Sequence, residues 1–304
     1  MTGNEIWNDY YDQFGYFPRD GIREGCEPRI ISTGQKEKNA IVLVHGLTDS
    51  PYYMTAIGER FHALGFNVLL PLLQCHGLRQ PNGMRGVSLA EWKKNVAFAL
   101  GQATTLGERV SVGGLSTGGA LSVHAALQQQ SPVNGAVFLF SAALDVGFFV
   151  EKSAAVLAKW LDLYDDWRGS PLIGDAPYRY ARMDKGGAKE LVRLIGEIDR
   201  LTGSRGKKQR LAQPVFAAHS EYDSTADIEG IEDLLADASL ETTELFRIGR
   251  DFQVPHASVV LKEDVRARNG SPLEPKNPFF EDMMSALEDF VGQQLGPSAE
   301  SSSA

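Results

Sequence analysis

Cysteine is nearly absent: Cys26 and Cys75 are the only two in 304 residues. They make no metal-ligand spacing and no disulfide framework, so the simpler reading is a reducing compartment, with a single disulfide as the alternative. Positive charge is in deficit. Thirty Lys and Arg against 39 Asp and Glu leave a net charge of -9, which argues against a nucleic-acid surface. The one basic cluster, residues 205–210, reads as a solvated loop. No apolar run is long enough to span a bilayer. The first residues are acidic and lack the apolar core of a signal peptide. The expected location is therefore cytoplasmic, with a removed leader as the alternative. No internal repeat occurs, and nothing implies a metal or a cofactor.

What is present suits a globular protein: 43% hydrophobic and 23% charged residues. The informative stretch is residues 110–120. A β-branched run, Val110-Ser111-Val112, meets Gly113 and Gly114, then Leu115-Ser116-Thr117-Gly118-Gly119, then a helix-forming segment. Gly114 to Gly118 fits G-x-S-x-G, a strand-to-helix turn that exposes a serine Oγ. The glycines there answer a steric need, because side chains beside so tight a turn would strike the adjoining strand and helix. The pattern is weak alone; its flanks and its partners strengthen it.

Around that stretch, strand and helix patterns alternate. Residues 1–38 are aromatic and turn-rich and are expected to supply short edge strands. Strands are expected at 40–44, 67–70, 110–113 and 135–140, with helices at 53–64 and 89–106. The run 40–44 is continuously apolar, as in a strand buried on both faces of a parallel sheet. The alternation then breaks. Residues 146–210 hold two helical patterns, 150–163 and 188–202, and no convincing strand, too long a stretch for an ordinary connection. They read as a helical cap inserted over the strand ends. A strand at 215–219, a helix at 227–236, a strand at 244–248 and a helix at 279–294 complete the chain. The division is a core of 1–145 and 211–296, a cap of 146–210 and a disordered tail of 297–304. The fold class is α/β, a mostly parallel, doubly wound sheet.

A serine hydroxyl is a poor nucleophile unless a base takes its proton and a carboxylate orients that base. Asp223 follows the strand at 215–219, and His256 follows the strand at 244–248 after a short loop. Their separation holds one helix and one strand, so both would hang over the sheet edge that carries Ser116. Asp227 and Glu221 are alternative acids, and Asp223 has a bland reading as a turn residue or helix cap. His62, His76, His124 and His219 are weaker bases. His45 reads as a residue that hydrogen-bonds the loop backbone. An oxyanion needs N–H donors; Thr117, after the serine, supplies one, and Leu47, in the loop after the first buried strand, is the candidate for the other.

These residues make the chain resemble the α/β-hydrolase superfamily, and within it the bacterial carboxylesterase and monoacylglycerol lipase group. The likeness is carried by residues 43–51, 70–77, the elbow with Gly114 and Gly118, and 220–223 with His256. It implies Ser116 as nucleophile, Asp223 as acid, His256 as base, and Leu47 with Thr117 as the oxyanion hole, acting on small to medium apolar esters. Three positions depart from the group. Cys75 replaces a glycine before His76, Val254-Pro255 replaces Ser-Gly before the base, and Asp49 replaces a glycine beside the oxyanion loop. The Asp49 carboxylate would either disfavour an anionic acyl group or cap the next helix. Phe148, Phe149, Trp160 and Trp167, together with Leu47, could line an apolar substrate pocket, though packing of the cap explains the aromatics as well. Amide or peptide cleavage and acyl transfer stay open with the same triad, as do lactone or polyester substrates. A non-catalytic binding module is the alternative from another class.

Overall fold

The computed structural model describes residues 3–80, 84–145, 174–203, 209–236, 238 and 242–296. Helices α1 (Gly3–Gln13), α2 (Thr55–Ala63), α3 (Leu89–Leu106), α4 (Thr117–Ala126), α5 (Lys185–Thr202), α6 (Ile228–Ala236) and α7 (Phe280–Leu295) surround a central sheet. Its strands are β1 (Arg29–Ile31), β2 (Glu37–Val44), β3 (Phe66–Leu70), β4 (Gly107–Leu115), β5 (Val137–Phe140), β6 (Val215–Ser220) and β7 (Thr243–Ile248). They lie in the order β1-β3-β2-β4-β5-β6-β7. Every pairing is parallel except that of β1 with β3.

The strand period of two sorts β2 cleanly. Ala40, Val42 and Val44 join one core cluster with Trp92 and Val96 of α3, Leu121 of α4 and Leu194 of α5. Ile41 and Leu43 join the opposite cluster with Phe61 of α2 and Phe290 of α7. Both faces of the sheet are therefore covered by helices, and β2 has to be apolar throughout. Helix α3 starts where Ser88 Oγ accepts the Ala90 N–H at 3.2 Å, and it buries Leu89, Trp92, Val96, Ala99 and Ala103 along one stripe. In the parallel register Val44 lies beside Gly114 and Leu115 beside Phe140. The β2 loop and the β4 turn therefore emerge at the same sheet edge.

One expectation needs correction. The N-terminal residues were expected to form edge strands, and β1 is one, but Gly3–Gln13 is a helix. Ile6, Trp7, Tyr10 and then Phe14 bury one face at helical spacing, and the Tyr10 hydroxyl donates to the Leu72 carbonyl at 2.5 Å. Aromatic richness favours a strand on propensity, but this spacing overrides it. The chain after His256 also forms a small antiparallel pair, β8 (Val265–Arg266) with β9 (Pro272–Glu274). Elements of two and three residues show no periodicity to read.

Of the expected cap, the helix at 188–202 is present as α5, started by Asp184, whose side chain accepts the Gly186 N–H at 2.7 Å. It seats Leu191, Leu194, Ile195 and Ile198 on the core. The helical pattern at 150–163 lies outside the described residues. Among the described residues no helix is long and apolar enough to cross a membrane. Both cysteines are free thiols.

Candidate active site

Strand β4 delivers Ser116 into the turn. Its backbone sits at φ 53° and ψ -117°, a region L-residues seldom occupy, and Thr117 begins α4 immediately after. The turn is held from three sides. Ser116 N–H donates to the Phe140 carbonyl at 3.0 Å, and its own carbonyl accepts from Ala120 and Ala143, both at 3.1 Å. The glycines answer close approaches. A Cβ on Gly114 or Gly118 would land on the Val44 carbonyl, and one on Gly119 would strike Ala142. Thr117 offers the first N–H of α4, which has no intrahelical acceptor and lies at the positive end of the helix.

Asp223 follows β6. Its Oδ1 accepts the N–H groups of Thr225 at 2.8 Å and Ala226 at 3.1 Å, while Oδ2 lies 2.5 Å from His256 Nδ1. It is thus a turn residue and the partner of His256 at once. Burial pushes its carboxyl up, but the hydrogen bond and charge of His256, the Thr225 N–H and nearby His219 outweigh that and hold it below the usual carboxylate value. With Nδ1–H committed to the carboxylate, Nε2 of His256 is the nitrogen left to take a proton. The alternative acids are engaged elsewhere. Asp227 Oδ1 caps α6 through the Glu229 N–H at 3.0 Å, and Glu221 pairs with Arg247 at 3.3 Å. His219 is fully buried, with Nε2 donating to the Ala226 carbonyl at 3.3 Å. Burial holds its pKa down. The Val254-Pro255 departure shapes the turn that carries His256. Val254 is buried, and the Pro255 carbonyl accepts the Ser258 N–H at 3.0 Å, so His256 leaves a fixed turn.

His45 is the residue that sets the loop after β2. Its Nε2 accepts the Leu73 N–H at 3.1 Å, which puts the proton on Nδ1, 2.8 Å from the Gly46 carbonyl. The Asp49 N–H reaches the same carbonyl at 3.2 Å. In a trans peptide the carbonyl and the next N–H point oppositely. Fixing Gly46 C=O therefore turns the Leu47 N–H the other way. Burial, with neighbouring His76, depresses the His45 pKa strongly, so it is neutral and not a base. His76 packs against it at 4.9 Å between ring centroids and is itself pushed down to about 4 by burial. Cys75 keeps the left-handed backbone a glycine would take, with φ 66°.

Asp49 is buried and caps nothing: the short helix that follows has no side-chain cap bond. Its Oδ1 faces Arg179 Nε at 3.4 Å. Burial pushes its carboxyl up while Arg179 pulls it down. Arg179 also donates to Glu274 at 3.1 Å, and Glu274 accepts from the Tyr53 hydroxyl at 2.6 Å. Neither Arg179 nor Glu274 is legible in the sequence as a site residue. The signal available was Asp49 itself, since a carboxylate beside an apolar strand end requires a buried cation.

A cavity of about 80 Å³ brings Ser116, His256 and Leu47 together, with Thr48, Arg179 and Met183 on its walls. A larger cavity of about 230 Å³ between α5 and α6 includes none of the three. Phe148, Phe149, Trp160 and Trp167, expected as pocket residues, lie outside the described residues. No group of three or more His, Cys, Asp or Glu that could hold a metal ion occurs among the described residues.

The family model for serine aminopeptidases, S33, designated Hydrolase_4, matches residues 35–248, from before β2 to the end of β7. A thermostable monoacylglycerol lipase of Bacillus sp. (strain H-257) is 22% identical over 235 residues, which cover 77% of this chain and 88% of that protein. Among solved structures, one from work on the metagenome-derived lipolytic enzymes LipS and LipT superposes with a TM-score of 0.64 at 20% identity. It covers 88% of this chain and 98% of its own. A monoacylglycerol lipase from Paleococcus ferrophilus reaches 0.56 at 18% identity, covering 87% and 98%. At these identities the structural likeness carries the fold; the chemistry has to come from the residues.

Proposed function

The chain belongs to the serine aminopeptidase S33 family of α/β-hydrolases, and on that premise we propose that it hydrolyses carboxylic esters through an acyl-enzyme. His256, oriented by Asp223, takes the Ser116 proton as Oγ attacks the ester carbonyl. The tetrahedral oxyanion rests on the N–H groups of Leu47 and Thr117, each worth roughly 10²–10³ in rate in other enzymes. His256 then gives its proton to the departing alkoxide. Water repeats the sequence on the acyl-Ser116 ester and frees the acid. The observation that carries this reading is the 2.5 Å contact of His256 with buried Asp223, in a base that shares one cavity with the strained Ser116.

The family's name raises a second reading, removal of N-terminal amino acids. Holding a free ammonium requires an uncommitted carboxylate. Among the described residues of the catalytic cavity the single carboxylate is Asp49, which is engaged by Arg179. Arg182 also lines it, and its charge repels an ammonium. Esters of uncharged acyl groups fit better, in keeping with the lipolytic names of the relatives.

The test is turnover of p-nitrophenyl esters of rising acyl length against aminoacyl p-nitroanilides, with Ser116→Ala alongside. Ester turnover that drops by about 10⁶ in the variant is expected. Activity on the anilides alone would favour the peptidase reading, and full ester activity in Ser116→Ala would overturn the site.

A further inference from the structure

Residues 174–184 run as a strap across the loop that follows β2, and the core grips them at successive positions. Arg23 donates to the Ala176 carbonyl and, at 2.9 Å, to that of Arg179. Ser50 Oγ donates to the Tyr178 carbonyl at 2.7 Å, and the Tyr178 ring stacks on Tyr52 with centroids 3.6 Å apart. The Tyr180 N–H donates to the Thr48 carbonyl at 2.8 Å. The strap therefore has one seating on the core.

From it the Arg179 guanidinium reaches inward with three faces in use. Nε lies 3.4 Å from Asp49 Oδ1, Nη2 donates to Thr48 Oγ1 at 3.1 Å, and Nη1 donates to Glu274 Oε2 at 3.1 Å. Glu274, on β9, is itself held by the Tyr53 hydroxyl at 2.6 Å. Thr48 and Asp49 are the two residues directly after Leu47. Thr48 stands at φ 73°, a left-handed backbone that a β-branched residue adopts only when its surroundings impose it. Asp49 N–H also bonds Gly46 O, so the side chain that fixes Asp49 helps to fix the peptide bearing the Leu47 N–H.

We propose that Arg179 is a positioning residue for the hydrolytic step: from the strap it locks Thr48 and Asp49, so that the Leu47 N–H is already aimed where the oxyanion forms. The proposal rests on the reading of Leu47 as an oxyanion donor. Arg179 faces two carboxylates and so presents no net cation to substrate, although it lines the same cavity as Ser116. Its effect falls on the transition state. The ground-state carbonyl binds the hole weakly, whereas a donor displaced by about 1 Å costs on the order of 10² in rate. Lysine cannot replace the three-way fork, because an ammonium has no planar array of donors.

Arg179→Met and Arg179→Lys test this with p-nitrophenyl butyrate as substrate and butylboronic acid as tetrahedral mimic. Active sites are counted by fluorophosphonate titration, which removes any misfolded fraction from the comparison. The expected result for Arg179→Met is a kcat per titrated site roughly 30-fold lower, KM within threefold, and a boronate Ki raised in step with the loss of kcat. Arg179→Lys is expected to fall between the two. A kcat per site within threefold of wild type, or a loss confined to KM, would overturn the proposal. Should Arg179→Met not fold, Glu274→Gln carries the test: it keeps the side-chain shape and loosens only the anchor, so a kcat lower by about threefold to tenfold is expected, and an unchanged kcat overturns the proposal. Failure of the ester-hydrolase reading would look different, as turnover retained in Ser116→Ala, an outcome the Arg179 variants do not produce.

Discussion

Replacing Ser116 by glycine should abolish turnover and stabilise the protein, whereas Ser116→Ala should abolish turnover and leave stability nearly unchanged. The difference comes from the backbone at φ 53° and ψ -117°, where any Cβ is strained by about 1–3 kcal/mol. Alanine keeps that Cβ, but glycine removes it and adds about 0.5–1 kcal/mol of unfolded-state entropy loss. Glycine should therefore come out ahead of alanine by roughly 1 kcal/mol. Unfolding entropy near 2.1 cal/mol/K per residue makes that a rise in Tm of about 1.5 °C for a chain of this length. Urea titration and calorimetry of the wild type and both variants would measure it, with ester turnover recorded on the same samples. A Ser116→Gly protein that melts at or below Ser116→Ala would refute the claim that the turn stores strain at this residue.

Substitutions at two other positions probe the surroundings of the site. His76 is depressed from its ordinary value to about 4 by burial, so the unfolded chain binds its proton more readily, and stability present above pH 6.5 is lost as the pH falls toward 4. The full effect is roughly 3 kcal/mol. His76→Asn should flatten the pH dependence of urea midpoints in that window, and an unchanged slope would contradict the assignment. Cys75, at φ 66°, should accept glycine with a gain of up to about 1 kcal/mol, after the left-handed cost is set against glycine's extra entropy. Cys75→Val should lose about 2 kcal/mol or more, because a β-branched side chain cannot take that conformation cheaply. Equal urea midpoints for the two variants would contradict the backbone argument.

The legible features of this chain are those in which local pattern and tertiary role coincide. A strand buried on both faces must be apolar throughout, so residues 40–44 announce β2. A turn between Val44, Gly118 and Ala142 tolerates no Cβ, so the glycines announce the elbow. Chain order proposes Asp223 and His256 as partners, and each stands after its strand, with His256 Nδ1 2.5 Å from Asp223 Oδ2. Features made by long-range contact were silent. Arg179 meets Thr48 and Glu274 across 131 and 95 residues, and neither Arg179 nor Glu274 is marked by a motif. The left-handed backbone at Cys75 shows in the sequence only as a departure from the glycine that the resemblance implies there. The first helix is masked in the sequence because its buried residues are aromatic, and their strand propensity competes with the helical spacing of Ile6, Tyr10 and Phe14.

The central claim is that Ser116 is the nucleophile, made reactive by His256 and Asp223. The most direct measurement is intact-mass and peptide-mapping mass spectrometry after reaction with a fluorophosphonate, run on the wild type, Ser116→Ala and His256→Ala. One adduct per chain on Ser116 in the wild type is predicted, with none in Ser116→Ala and labelling slowed by about 10³ or more in His256→Ala. An adduct on another residue, or labelling of Ser116 at an undiminished rate without His256, would contradict the account.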